Sequence, residues 1–235
     1  MKLFKSCFAV AMLLPAGSSA AFADAVLSVV PTPSTVFVGQ TFTVGIYVTG
    51  PTVIHNGTTY TQPVTDLDAF QFDVAFNCAV SGANATSCSP EASILNALSV
   101  TEGPFLTDGG SNFTFFEPGT IDNTTGLISS IGDVGGYGVT GSGTLVDITF
   151  QALTAGTTSI AILANSDLQF FDSNGNPIVV DNTVTTSPTK ETFPTNQTLS
   201  ANVTVVTPEP PSLQLLLLGG VSLAGLVLTR RRLLA

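Results

Sequence analysis

Apolar and polar positions alternate with a period of two over much of the chain. In "TFTVGIYV", Phe42, Val44, Ile46 and Val48 alternate with Thr41, Thr43, Gly45 and Tyr47. In "AFQFDVAF", Phe70, Phe72, Val74 and Phe76 fall on one face, with Gln71 and Asp73 on the other. Val146, Ile148 and Phe150 alternate with Leu145, Asp147 and Thr149. This period marks half-buried strands, and runs of Thr, Val, Ile and Phe broken by Gly, Asn, Asp and Pro reinforce it. The pattern predicts strands over 25–30, 35–38, 41–49, 67–76, 112–117, 126–131, 144–152, 157–164, 168–172, 177–181 and 199–206. Residues 50–65 and 183–198 read as irregular loops, and 91–100 as one or two helical turns. No convincing amphipathic helix and no repeat is found. Many short strands joined by Gly-rich turns predict an all-β sandwich or barrel.

The two ends have a different pattern. Lys2 and Lys5 precede a short apolar stretch, and Ala21-Phe22-Ala23 has the small-x-small form of a signal-peptidase site. Residues 1–23 therefore read as a signal peptide, cleaved between Ala23 and Asp24. At the other end, residues 213–229 carry no charge. As a helix they rise about 26 Å, slightly short of a hydrocarbon core about 30 Å thick. Pro208, Pro210 and Pro211 stop that helix from running back into the preceding domain, and Arg230, Arg231 and Arg232 hold its far end in the cytoplasm. The segment is either a single-pass anchor or an address that is read and removed.

The tail resembles the PEP-CTERM sorting signal of Gram-negative and related bacteria. The resemblance rests on Pro208-Glu209-Pro210, the apolar run and Arg230-Arg231-Arg232, in that order, across residues 207–235. It implies processing near the Pro-Glu-Pro by an exosortase, a membrane-embedded cysteine protease. The precursor would sit in the inner membrane, and the product would be released to the cell surface or the extracellular matrix, in an organism that makes exopolysaccharide.

Composition sharpens the picture for 24–206. Of 16 Asp and Glu, only Glu209 lies in the tail, leaving 15. Of 6 Lys and Arg, five lie in the two ends, leaving Lys190, so the mature region carries close to −14. Such a surface excludes nucleic acid as a partner, because phosphate binding needs Lys and Arg. Cys78 and Cys88 are the cysteines left after export, and an oxidising compartment predicts that they pair.

The middle of the chain has a second resemblance. "LSVVPTPSTVFVGQTFTVGIYV", "LDAFQFDVAFN", "GSGTLVDITFQALTAGTTSIAIL", "LQFFDSNGNPIVV" and "LSANVTVV" follow one another as in bacterial cohesin-like domains, over nearly all of 24–206. The turn at Gly39, the strand at Ala69-Phe70 and the strand from Gly143 to Phe150 carry the likeness best. It implies a nine-stranded jelly-roll β-sandwich related to some carbohydrate-binding modules. The dockerin-binding role of cellulosomal cohesins transfers poorly to a single copy with this tail, and the cysteine pair has no place in the family pattern.

Candidate chemistry is sparse. His55, the sole histidine, lies in the polar stretch "PTVIHNGTTY" without metal-ligand or catalytic partners. Asp66 and Asp68 are too close in sequence to act as a glycosidase pair, and no nucleophile motif occurs. The chain reads as non-enzymatic, and no motif calls for a cofactor. In "DSNGNP", the candidate calcium donors are Asp172, Asn174, Asn176 and Asp181, but Asn174-Gly175 between two apolar pairs is a hairpin signal, and the spacing is not that of a calcium loop. Most phenylalanines are assigned to the core or the leader. The chain lacks Trp, so Tyr60 and Tyr137 are the candidate sugar contacts. The leading expectation is an exported structural or adhesive component of the surface or matrix. A sugar- or protein-binding module in polysaccharide handling comes second, with exopolysaccharide or a surface protein as partner, and a hydrolase third.

Overall fold

The computed structural model describes residues 25–55, 58–78, 93–180 and 199–208. Within them the chain forms β1 Val26–Thr32, β2 Thr35–Phe37, β3 Thr41–Thr49, β4 Thr52–His55, β5 Thr58–Thr61, β6 Val64–Cys78 and β7 Leu95–Glu102. There follow β8 Thr114–Glu117, β9 Thr120–Asp122, β10 Leu127–Gly141, β11 Gly143–Ala152, β12 Gly156–Ile162, β13 Gln169–Asp172 and β14 Ser200–Val206. One sheet has the order β1-β3-β11-β7; a larger one runs β2-β14-β12-β6-β10-β8, with β13 beside the first half of β6 and β9 beside the start of β10. Pairing is antiparallel except between β2 and β14.

The period-two faces meet between these sheets. Phe42, Val44, Ile46, Val48, Ile148 and Phe150 of the smaller sheet pack on Phe70, Phe72, Val74 and Phe76 of the larger one, all buried. Phe150 is the centre of this contact: its ring lies 5.8 Å from Phe42 within its own sheet and 5.3 Å from Phe76 across the core. The molecule is therefore an all-β sandwich. The non-directional gain from burying these side chains is large, about 1.5–3 kcal/mol for each Val, Leu, Ile or Phe.

The structure corrects four expectations. The described part of 91–100, from 93 on, holds no helix; β7 occupies Leu95–Glu102, with Leu95, Ala97 and Val100 buried on the core side. The supposed loop 50–65 contains the β4–β5 hairpin, with His55 opposite Thr58, and the start of β6. β10 runs on to Gly141, well past the expected end at 131. Its bulge at Ser130, with φ of 58°, and its glycines break the period there and hide the continuation. Residues 177–180 contribute only single bridges from Pro177 to Phe171 and from Val180 to Ala25.

Polar side chains fix the places where the strands are irregular. Asp73 accepts from the Ser130 N–H at 2.8 Å and from Asn165 Nδ2 at 2.8 Å, tying the β10 bulge to the β12–β13 connection. Asn77 donates to the Leu95 carbonyl at 2.7 Å and accepts from its N–H at 2.8 Å. Asn123 does the same to Ala97, at 3.1 and 2.7 Å. β7 is the last strand of its sheet, and these two amides occupy the free edge that would otherwise template another strand.

Candidate docking surface

The outer face of the larger sheet carries an apolar row. Phe115 on β8 stands opposite Val134 on β10, Val134 opposite Ala69 on β6, and Ala69 opposite Phe171 on β13. Phe115 and Val134 are 71% and 50% exposed, and Ala69 and Phe171 are half-buried. One step along, Glu117, Gly132, Gln71 and Gln169 form the next row, which is polar. Phe113 extends the apolar row at the sheet edge: its ring is 5.0 Å from Phe115 at 90°, and it too is 71% exposed. Paired exposed rings at a sheet edge, one of them in register with apolar neighbours across four strands, are unusual for a face that meets only water.

Carboxylates border this row. Asp172, at the end of β13, accepts from Asn174 N–H at 2.9 Å, from Asn176 N–H at 2.7 Å and from Asn176 Nδ2 at 2.9 Å. These bonds, led by the Asn176 side chain, hold its carboxyl below the usual range. Ser173 Oγ donates to Asp66 at 2.8 Å, so the β13 turn is fastened to the start of β6. Asp68 lies nearby, with one oxygen, Oδ1, buried and unpaired. Desolvation first, then the charges of Asp66 and Asp172, push its pKa up.

Close approach explains the glycines of "GDVGGYG". A Cβ on Gly138 would lie 1.9 Å from Asp66 Oδ1, and one on Gly135 would lie 2.8 Å from Asn112 Nδ2. Asn112 in turn donates to the carbonyls of Leu106 and Tyr137 at 2.9 and 3.0 Å and accepts from Gly136 N–H at 3.0 Å. It pins this part of β10 behind the aromatic edge.

The residues singled out from the sequence are dispersed. Tyr60 is exposed on β5 in the small hairpin sheet, whereas Tyr137 is exposed on β10 and donates to Asp108 Oδ2 at 3.2 Å. Desolvation, then that bond and the Asp108 charge, raise its pKa. The two tyrosines lie on different sheets and do not form one platform. Asp172, Asn174 and Asn176 close a hairpin turn among themselves, and among the described residues no group of three or more His, Cys, Asp or Glu could hold a metal. Asp181, Cys88, Ala23, Asp24, Glu209, Pro210, Arg230, Arg231 and Arg232 lie outside the described residues; Pro208 ends the last described stretch, and Cys78 ends β6. Among the described residues no helix is long and apolar enough to cross a membrane, and 213–229 is not among them.

Most of the described phenylalanines lie in the core, as expected, but not all. Phe37, Phe113 and Phe115 are exposed, and Phe113 and Phe115 carry the row. A sequence signal was present: in "NFTFFE" apolar residues occupy both parities of a short strand, so one set has to face outwards.

No family model matches the chain, and neither does any curated protein. Among solved structures it is similar to a non-cellulosomal cohesin from the hyperthermophilic archaeon Archaeoglobus fulgidus, at 11% identity over 80% of this chain and 94% of that one, with a TM-score of 0.48. A type I cohesin–dockerin complex from Clostridium thermocellum matches at 8% identity over 78% and 99%, with a TM-score of 0.47. A type II cohesin domain from the cellulosome of Acetivibrio cellulolyticus matches at 17% over 69% and 92%, with a TM-score of 0.43. Likenesses of this strength say nothing of what the chain binds; the sandwich stands on its own two sheets.

Proposed function

We propose that the chain is an exported, non-enzymatic protein-docking sandwich that serves as a structural or adhesive component of the cell surface or extracellular matrix. In this reading, residues 1–23 direct export. Residues 207–235 hold the precursor in the inner membrane until an exosortase-type protease acts near Pro208-Glu209-Pro210. The observation that carries the docking role is the row Phe115–Val134–Ala69–Phe171 with Phe113 at its edge. The partner it fits is a protein segment with apolar anchors flanked by Lys or Arg. The described residues contain no Lys or Arg at all, while Asp66, Asp68, Asp172 and Glu117 surround the row, so charge complementarity selects a basic partner. A sugar ligand is the second reading, favoured only by the exposure of Tyr60 and Tyr137.

The test is retention of the full chain on the surface or in the matrix of the exporting cell. Replacing Phe113 and Phe115 together by Ser removes two exposed anchors and is expected to weaken retention about tenfold or more, with high salt weakening the wild type as well. Tyr60→Ser is expected to leave retention unchanged. If the paired Phe replacement retains normally, or if retention is instead abolished by Tyr60→Ser or Tyr137→Ser and competed by exopolysaccharide, the docking reading is wrong.

A further inference from the structure

Asp133 lies on the inner face of β10, between Phe70 of β6 and Phe116 of β8, and is 2% exposed. Neither of its carboxylate oxygens accepts a well-formed hydrogen bond. A buried anion in that condition is costly, because desolvation is repaid by nothing nearby. Glu102, half-buried at the end of β7 in the opposite sheet, makes matters worse, because its charge acts on Asp133. Its position is fixed independently, because Thr114 Oγ, on the inner side of β8, donates to Glu102 Oε1. Thr114 is paired with Gly135, two residues from Asp133 on the same side of β10.

Among the described residues no cation relieves the pair. β6 presents Phe70, and its nearest acid along the strand, Asp68, answers to Asp66 and Asp172. β8 presents Phe116 and Thr114, and Glu117 faces out beside Gly132. β11 presents Val146 beside Glu102, and its Asp147 pairs with Thr101. Two carboxylates cannot hydrogen-bond to each other. A carboxylic acid and a carboxylate can, and one added proton supplies the missing donor.

We infer that Asp133 and Glu102 share a single proton that ties the two sheets together beneath the outer row, and that loss of this proton loosens the β8–β10 edge from β7. The proton passes from water to the pair and back, and no other bond is made or broken. Desolvation first, then bonding to Glu102 and its charge, push the Asp133 carboxyl up to about 7, with the Val134 N–H opposing in part. The sign follows. In the unfolded chain the group releases its proton near its ordinary value of 3.8. Between that value and about 7 the folded state binds the extra proton, so stability is full at low pH and falls as pH rises through neutrality. The inference does not depend on the docking reading: Val134, next in sequence, belongs to the outer row, but the proton is read out on the protein alone.

The experiment is thermal unfolding of the full chain in mild detergent from about pH 5 to about pH 9, with and without calcium or chelator. The wild type is expected to lose about 5–10 °C in Tm across that range. Asp133→Asn, whose amide can donate to Glu102 without titrating, is expected to flatten the dependence. Glu102→Gln removes the repelling charge and offers a donor, so it is expected to move the midpoint to lower pH. Should Asp133→Asn fail to fold, carboxyl-carbon NMR of the wild type decides: Asp133 titrating near neutrality supports the shared proton, and titration in the ordinary aspartate range overturns it. An unchanged pH slope in Asp133→Asn overturns it too. So does a calcium-dependent rise in Tm at high pH that Asp133→Asn abolishes, which would make the pair a cation site.

Discussion

At the scale of single residues, buried side-chain amides hold what the backbone ladder leaves open. Asn77 is 4% exposed and satisfies both backbone groups of Leu95, which has no further strand beyond it. Truncation leaves a buried N–H and a buried carbonyl unpaired, and each orphan costs about 1–3 kcal/mol. Asn77→Ala is therefore expected to destabilise the domain by about 2–4 kcal/mol in denaturant unfolding. Asn202, exposed on β14 and bonded to Ser159 Oγ at 2.7 Å, is the control; its replacement by Ala is expected to fall within about 0.5 kcal/mol. Equal losses at both positions would show that the Asn77 amide does not guard the edge. Neither role was legible in the sequence, where an asparagine near a strand end reads as a turn former. Asp133 was closer to legible. It shares parity with Ile131, and an acid on the buried parity of a strand needs a proton or a partner.

At the scale of elements, period-two patterning located the strands that have one buried face: β1, β3, the core of β6, β11, β12 and β14 match their expected positions within a few residues. It failed where a strand departs from that condition. β10 carries a bulge and glycines placed for close approach, and β4 and β5 are four-residue strands in a separate two-stranded sheet, too short for alternation to reveal. The β13 turn was read correctly as a hairpin from Asn174-Gly175, and Gly175 has the positive φ of 77° that such a turn requires. That turn also bears the calcium expectation. Asp172 already receives three donors from its own turn, which stabilise its anionic form without an ion. A specific site needs about 6–8 converging oxygens. Calcium is expected to raise Tm only slightly, and no more than magnesium at equal concentration. A large calcium-selective rise in thermal melts, abolished by Asp172→Ala, would show that Asp181 and its neighbours complete a site.

At the scale of the whole molecule, the charge distribution and the two ends have one explanation in common. The full chain carries −10, with its Lys and Arg concentrated at residues 2, 5 and 230–232. Those positive charges flank apolar runs and, in the proposed reading, serve insertion and orientation at the inner membrane. If both ends are removed as proposed, a sandwich near −14 would remain, its charges would repel one another, and attraction to a basic partner would then be needed to keep it at the surface. This order of events predicts the covalent state of the product. Protein recovered from the medium or matrix of the native host is expected to begin at Asp24 and to lack residues 213–235, with Cys78 and Cys88 linked. Such a bridge closes a short loop and contributes about 2.5–3 kcal/mol in the chain-entropy description. Intact-mass measurement before and after reduction reads all three features at once. A released product that keeps Arg230, Arg231 and Arg232 would mean that the tail is a permanent anchor shed by other means. Free thiols at Cys78 and Cys88 in freshly exported protein would remove the bridge from the account but leave the sorting reading intact. A precursor that accumulates in the membrane when Pro208-Glu209-Pro210 is replaced by Ala-Ala-Ala, while the wild type is released, is the result that the sorting reading requires.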